Sequence, residues 1–290
     1  MTEMEKIKKE IEAYLPRIIE SRDIPGRLGE AMCYALSGRG KRLRPFLFLK
    51  TLEIYSPPLE KAIPFAWGLE AIHTYSLVHD DLPIMDDDDY RRGRLTTHRV
   101  YGEANALLVG DGLFTLGCEL MNSVNDAFCF ERMQKALAVV LKAVGPEGMV
   151  GGQYLDLKGE GLDLNLSQLE EIHRKKTGAL ITASLLSGGI LGGAAERELG
   201  SLEKYGQELG LLFQITDDLL DLEGDPRKTG KSGHKDAILG KATYPGLMGI
   251  EGARKKAEEK CQGAIYAAKT LGEKGRVFRE LAEFVLSRDM

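Results

Sequence analysis

Apolar residues recur every three to four positions along nearly the whole chain, and that period constrains the fold more than any other feature. Ile7, Ile11, Leu15 and Ile18 set it at the start, as one face of a core-facing helix requires. The same spacing runs through 43–54, 62–78, 104–124, 133–144, 169–186, 196–222, 253–271 and 277–286. It breaks at Pro25-Gly26, Pro57-Pro58, Gly145-Pro146, Gly192-Gly193 and Gly224-Asp225-Pro226, where proline and glycine favour turns over helix. Alternating β-branched runs are essentially missing. No repeat, low-complexity linker or composition shift marks a domain boundary. The pattern predicts an all-α protein, one domain over residues 1–290, built as a bundle of about ten or more helices with its sites between facing helices.

Composition excludes several classes. With 43% hydrophobic residues in 290, the chain can bury a substantial core. A net charge of −5 and a pI near 5.7 argue against a general nucleic-acid partner. Cys33, Cys118, Cys129 and Cys261 show no CxxC spacing, which fits a reducing cytoplasm better than a disulfide framework. The N-terminus is charged and amphipathic, without the apolar core of a signal peptide. No apolar run reaches the roughly 18 residues of a membrane span. The expectation is a soluble, cytoplasmic protein.

Two acidic clusters stand out. HDDLPIMDDDDYRRG (79–93) packs six aspartates into ten positions, interrupted by Leu82, Pro83, Ile84 and Met85. On a continuous helix Asp80 and Asp86 would sit about 240° apart. Pro83 disfavours helix in the residue before it, so the helix should end near Asp81 and the chain return Asp86 beside Asp80. Asp87, Asp88 and Asp89 would support that site or face solvent. In FQITDDLLDLEGD (213–225), Asp217 and Asp221 are one helical turn apart, with Gln214 on nearly the same face. Such carboxylates repel unless a cation lies between them, and hard oxygen ligands suit Mg²⁺. The alternative is a pair of ordinary solvent-face acids. Mg²⁺ keeps few protein ligands and shares phosphates, so two facing clusters would suit a diphosphate.

Cations for such a ligand occur in five places. They are GRGKRLRP (38–45) with Arg39, Lys41, Arg42 and Arg44; Arg91-Arg92; HRKKTG (173–178); GKSGHKD (230–236) with Lys231; and KATYP (241–245) with Lys241. Arginine forks and lysine point charges are the usual phosphate binders.

GKRLRP, HDDLPIMDDDDYRRG, GGQYLD (151–156), HRKKTG, FQITDDLLD, GKSGHKD and KATYP, in this order, resemble the motifs of the trans-isoprenyl diphosphate synthases, the head-to-tail prenyltransferases. The DDxxxxD spacing is similar to the bacterial and plastid branch, most like farnesyl diphosphate synthase. The resemblance implies the isoprenoid synthase fold, with helices around a central active-site cavity. It also implies a homodimer acting on isoprenyl diphosphates with Mg²⁺, three ions per site with substrate bound, or Mn²⁺ in its place. At matching positions Lys41, Arg44, His73 and Arg92 would bind isopentenyl diphosphate. Asp80, Asp86 and Asp217 would ligate the metal, with Asp81 and Asp221 in support. Arg91, Lys176, Lys231 and Lys241 would hold the allylic diphosphate, and Thr177 and Gln214 would face the allylic cation. The family's base is the departing diphosphate, which accounts for the lack of an evident protein base. Arg39 and His234 depart from the usual pattern.

Tyr75 and Ser76, five and four residues before Asp80, lie about one turn down the helix, where a bulky side chain would stop a growing product. By resemblance, an aromatic here goes with a fifteen-carbon farnesyl product; geranylgeranyl diphosphate is the alternative. Tyr75 as a plain core aromatic is the other reading. A terpene cyclase would lack GKRLRP, and a non-catalytic partner subunit would lack one aspartate cluster. GDPRKTGKS is no P-loop, since Asp225 stands where glycine is needed. The stretch 104–117 is a candidate for a dimer interface or for core.

Overall fold

The computed structural model describes residues 3–38, 40–55, 58–223 and 241–287. Helices carry nearly all of them, as the period predicts. In chain order they are α1 (Glu3–Glu12), α2 (Leu15–Ile19), α3 (Gly26–Leu36), α4 (Leu43–Glu53), α5 (Leu59–Asp80), α6 (Thr97–Tyr101), α7 (Glu103–Asn122), α8 (Phe130–Val144), α9 (Met149–Gly159), α10 (Leu166–His173), a π-helical turn (Arg174–Gly178), α11 (Ala179–Gly192), α12 (Glu196–Glu223), α13 (Tyr244–Lys269) and α14 (Arg276–Leu286).

The structure adds what periodicity hides. Helix α9 (MVGGQYLDLKG) spreads its apolar residues around the axis and shows no clean stripe, and α3 is a short amphipathic helix with glycines at 26 and 29. The helix expected over 169–186 is present and runs from Leu166 to Gly192, through a π-helical turn at Arg174–Gly178 that the period does not show. Helix α13 starts at Tyr244, nine residues before the expected 253, and bends at Gly249, whose φ of +73° lies in the left-handed region. A two-residue hairpin pairs Tyr90 with Leu95 and Arg91 with Arg94. Its turn residues, Arg92 and Gly93, have φ of +56° and +75°, the signature of a type I′ turn.

Contacts divide the chain into two compact units, Met1–Leu49 with Ser56–Met133, and Lys50–Tyr55 with Gln134–Met290. In the first, α5 packs along α7. A β-carbon on Gly117 would lie 2.9 Å from the Gly68 carbonyl oxygen and 2.7 Å from Ile72, so the helices meet at a distance that needs glycine. Trp67 on α5 is fully buried and donates its indole N–H to the Ile11 carbonyl at 2.8 Å, which fixes α1. Phe48 and Phe65 stack at 4.7 Å. Each such side chain stabilises the fold by about 1.5–3 kcal/mol. Helix α7 is the one helix among the described residues long and apolar enough to cross a membrane. Eight of its residues, including Val109, Leu113 and Leu116, are buried in the fold.

In the second unit α12 packs against α11, α13 and α14. Tyr205 is buried and donates its hydroxyl to the Phe278 carbonyl at 2.8 Å, joining α12 to α14. Asn165 and Gln168 form a capping box that starts α10. Gly193, at φ +85°, ends α11 at the Gly192-Gly193 break.

Candidate active-site residues

The first acidic cluster folds as its proline demands. Helix α5 ends at Asp80, and the chain doubles back through Leu82–Met85. The Asp86 amide then donates to the Asp80 carbonyl at 2.8 Å, and the Asp88 amide to the Asp81 carbonyl at 3.2 Å. Asp87 takes a left-handed φ of +48° to complete the loop. The backbone thus sets Asp86 beside Asp80. Asp81 turns inward instead: it is buried and accepts from Arg91 Nε at 2.5 Å. Burial raises its carboxyl to about 7 despite that arginine. Arg91 also reaches Asp88 at 3.2 Å. Its guanidinium, which burial alone would weaken, is strengthened by Asp81 and Asp88. The charge of Arg91 is engaged by the acidic loop itself.

A basic pocket lies beside this loop in the same unit. Arg92, at the strained hairpin turn, directs its Nη2 to within 3.5 Å of His73 Nε2. Burial, and then Arg44, Arg92, Arg91 and Arg42, hold His73 well below the ordinary histidine value, so the imidazole is neutral. Arg44 is buried, its Nε has no hydrogen-bond partner, and burial draws its pKa down to about 10. An unpaired buried guanidinium N–H carries a desolvation cost of about 1–3 kcal/mol that an anion would relieve. Lys41 is exposed nearby in the chain. Arg42 is different: it is 2% exposed and bonds Glu70, 1% exposed, at 2.8 Å. It also donates to the Leu36 and Gly38 carbonyls. This buried pair is structural and was not distinguished from its neighbours in the sequence. Gly40 lies close beside it: a β-carbon there would lie 2.6 Å from Arg92 Nη1 and 3.1 Å from Arg42 Nη1, so the Arg92 guanidinium would have to shift.

Tyr75 stands half-buried on α5, edge-on to Phe114. Ser76 turns its hydroxyl back to the His73 carbonyl at 2.9 Å, the local bond a helical serine often makes.

In the second unit the π turn presents Lys176 and Thr177. Lys176 Nζ donates to Asp156 Oδ2 at 2.7 Å, and Lys241 Nζ lies 3.7 Å from the same oxygen. Burial alone would raise Asp156, but Lys176, Lys241 and His173 hold its carboxyl below the usual range. One carboxylate therefore gathers two of the lysines expected to hold phosphate. The GGQYLD motif explains how: Asp156 supplies the carboxylate, and Gly152 lets α9 touch the π turn. A β-carbon at 152 would fall 2.2 Å from the Lys176 amide nitrogen. The π geometry itself is a recurrent feature of functional sites. Gln214, Asp217 and Asp221 are half-buried on α12, Asp217 and Asp221 one turn apart on its final turns. Between them, Asp218 accepts the Tyr244 amide at 2.9 Å and so anchors the start of α13. Arg39, Lys231 and His234 lie outside the described residues.

Among the described residues, no three carboxylate, histidine or cysteine side chains converge to hold a metal alone. The donor chemistry present is carboxylate oxygen, which fits Mg²⁺ bound by a few side chains and completed by phosphate.

The polyprenyl synthetase family model matches residues 25–281. The chain is 42% identical over 287 residues to the farnesyl diphosphate synthase of Geobacillus stearothermophilus, covering 97% of this chain and 95% of that one. Among solved structures, an FPP/GFPP synthase from Zymomonas mobilis superposes with a TM-score of 0.87 at 33% identity, covering 98% and 97%. A geranyltransferase from Helicobacter pylori, complexed with magnesium and isoprenyl diphosphate, gives 0.83 at 30% identity, covering 99% and 97%. The chain belongs to the polyprenyl synthetase family. That membership agrees with the resemblance read from the motifs, with the all-α isoprenoid synthase fold and with a prenyltransferase activity.

Proposed function

We propose that the protein condenses isopentenyl diphosphate head-to-tail with dimethylallyl and geranyl diphosphates to make farnesyl diphosphate. The observation that carries this reading is the return of Asp86 onto Asp80 by a backbone hydrogen bond, beside a pocket whose buried Arg44 has an unpaired N–H. An acidic metal loop next to an anion pocket is what two diphosphates would need.

In this reading Arg44, Arg92, Lys41 and neutral His73 hold isopentenyl diphosphate. Lys176, Lys241 and Lys231 take the allylic diphosphate, the first two leaving Asp156 for the phosphate oxygens. Asp80, Asp86 and Asp217 hold Mg²⁺, with Asp81 and Asp221 in support; bound there, the ion neutralises charge on a departing diphosphate. The allylic C–O bond breaks with its electron pair leaving on diphosphate. Lysines set in place beforehand stabilise that charge without reorganising. Thr177 and Gln214 offer dipoles to the allylic cation. The double bond of isopentenyl diphosphate then attacks the allylic carbon, and the proton lost from the new chain goes to diphosphate. A magnesium-bound relative from Helicobacter pylori supports the choice of metal. Half-exposed Leu107 and Leu108 on α7 offer an apolar face for a homodimer. Four free cysteines suit a cytoplasmic enzyme.

The test is a product assay with purified protein, Mg²⁺, labelled isopentenyl diphosphate and each allylic starter. A fifteen-carbon diphosphate, lost with EDTA, is the expected result. No product from any starter with folded protein would refute the reading.

A further inference from the structure

Three side chains beside the lysine pair of the second unit keep buried polar atoms without a partner. His173 ends α10, three residues before Lys176. Among the described residues, neither of its ring nitrogens has a hydrogen-bond partner. The same holds for the Gln153 amide oxygen and nitrogen and for the Tyr244 hydroxyl. Buried groups left without hydrogen bonds are costly, and these gather around Asp156. Gly152 and Gln153 lie four and three residues before Asp156 and so share its side of α9. His173 stacks on Tyr244 with the rings at 18°, a contact made by the faces that leaves the nitrogen-bearing edge of the imidazole uncommitted. Burial holds the ring down at about 4, and of the charges around it Asp156 acts on it most, ahead of Lys176 and Glu170. At neutral pH it therefore carries one N–H, and with neither nitrogen engaged the proton can sit on either.

Asp156 is only 18% exposed and holds Lys176 Nζ at 2.7 Å and Lys241 Nζ at 3.7 Å. To grip a diphosphate these lysines must give up that carboxylate. A mostly buried carboxylate stripped of its partners is strongly destabilising, so the lysines can leave only where another donor replaces them. His173 and Gln153 carry N–H groups of that kind.

We propose that His173 is a positioning residue for the allylic diphosphate: its ring N–H takes over the Asp156 carboxylate as Lys176 and Lys241 turn to the phosphate oxygens, with the Gln153 amide as second donor. The inference rests on the prenyltransferase reading above. Only hydrogen bonds change partners in this exchange, and the proton stays on His173.

Calorimetric titration of geranyl diphosphate with Mg²⁺, without isopentenyl diphosphate, reads binding apart from turnover. His173→Phe keeps a ring against Tyr244 and removes the N–H. Its dissociation constant should rise by about ten- to a hundredfold, the worth of a hydrogen bond to a charged group. His173→Gln, which keeps a donor, should stay within about threefold of the wild type. In steady-state kinetics the KM for geranyl diphosphate should rise in His173→Phe, while the KM for isopentenyl diphosphate stays unchanged. Asp156→Asn removes the charge that the exchange serves, so adding His173→Phe to it should cost nothing further. A merely structural histidine would lose the same factor in both backgrounds, or lower Tm and leave binding alone. Either result, or a glutamine variant as weak as the phenylalanine one, overturns this inference while an active wild type keeps the reaction. If His173→Phe does not fold, His173→Leu takes its place in the cycle. No product from the wild type with any starter refutes the reaction and this inference with it.

Discussion

Gly152→Ala isolates the contact that holds the π turn. The new β-carbon would lie 2.2 Å from the Lys176 amide nitrogen, 2.6 Å from its Cα and 2.7 Å from the Lys175 carbonyl carbon. These are backbone atoms and cannot rotate away. To reach even 3.0 Å, helix α9 and the π turn must part by about 0.8 Å, and ordinary contact asks for more. Lys176 and Thr177 would move with the turn. A misplacement of about 1 Å in a positioning element costs roughly a hundredfold in rate, so kcat should fall by about that factor. Overpacking should cost about 1–3 kcal/mol, lowering Tm by roughly 2–12 °C. Steady-state kinetics at saturating substrates, paired with thermal denaturation followed by circular dichroism, read both. Gly200→Ala is the control, because its β-carbon would meet nothing within 4 Å; it should leave kcat unchanged. A Gly152→Ala enzyme with wild-type kcat and Tm would show that the close approach does not position the lysine.

Three further outcomes follow from particular residues. Glu70→Gln leaves the buried Arg42 guanidinium with only the more distant, exposed Glu12 at 3.6 Å as counter-ion, and since breaking a buried pair outright costs about 3–5 kcal/mol, the urea midpoint should fall by up to the equivalent of that. His173 is buried against Tyr244, which it stacks on at 5.6 Å, and burial holds it down at about 4. The unfolded chain therefore binds a proton that the folded chain refuses, so stability is lost as pH falls from about 6.5 to 4, by roughly 3 kcal/mol in all. Denaturation curves at pH 7 and pH 5 should differ less for His173→Phe than for the wild type. EDTA should abolish activity and added Mg²⁺ restore it without a change in folded-state circular dichroism; full activity in EDTA would remove the metal from the reaction.

Much of the fold and the chemistry was legible in the sequence for a common reason. Helical stripes and charged clusters are side-chain patterns, and both appear in the order of letters. Pro83 gave the end of α5 and the return of Asp86, because its steric effect is local. What stayed hidden depends on distance between segments. Arg42 and Arg44 look alike in GKRLRP, yet one is sealed against Glu70 and the other keeps an unpaired N–H, a difference set by Glu70, 28 residues away. Asp156 gained its role only when the π turn brought Lys176 to it across 20 residues. The hairpin escaped notice because Arg92 takes a left-handed turn position usually given to asparagine, aspartate or glycine.

Glycine explains the rest. Gly40, Gly110 and Gly152 each stand where a side chain would displace a functional or structural group: Arg92, His79 or the Lys176 backbone. A glycine fitted by close approach has no side chain to signal it and is indistinguishable, in one sequence, from a glycine in a loop. The residues that would do chemistry here are readable because they carry charge. The residues that set the distances between them are readable only once the helices are packed. For that reason the first changes to test are not the aspartates, whose loss would stop the reaction under almost any mechanism. A methyl group at Gly152 deletes no charged residue and alters only the distance at which the backbone holds Lys176, so a large loss of rate there would locate catalytic power in geometry.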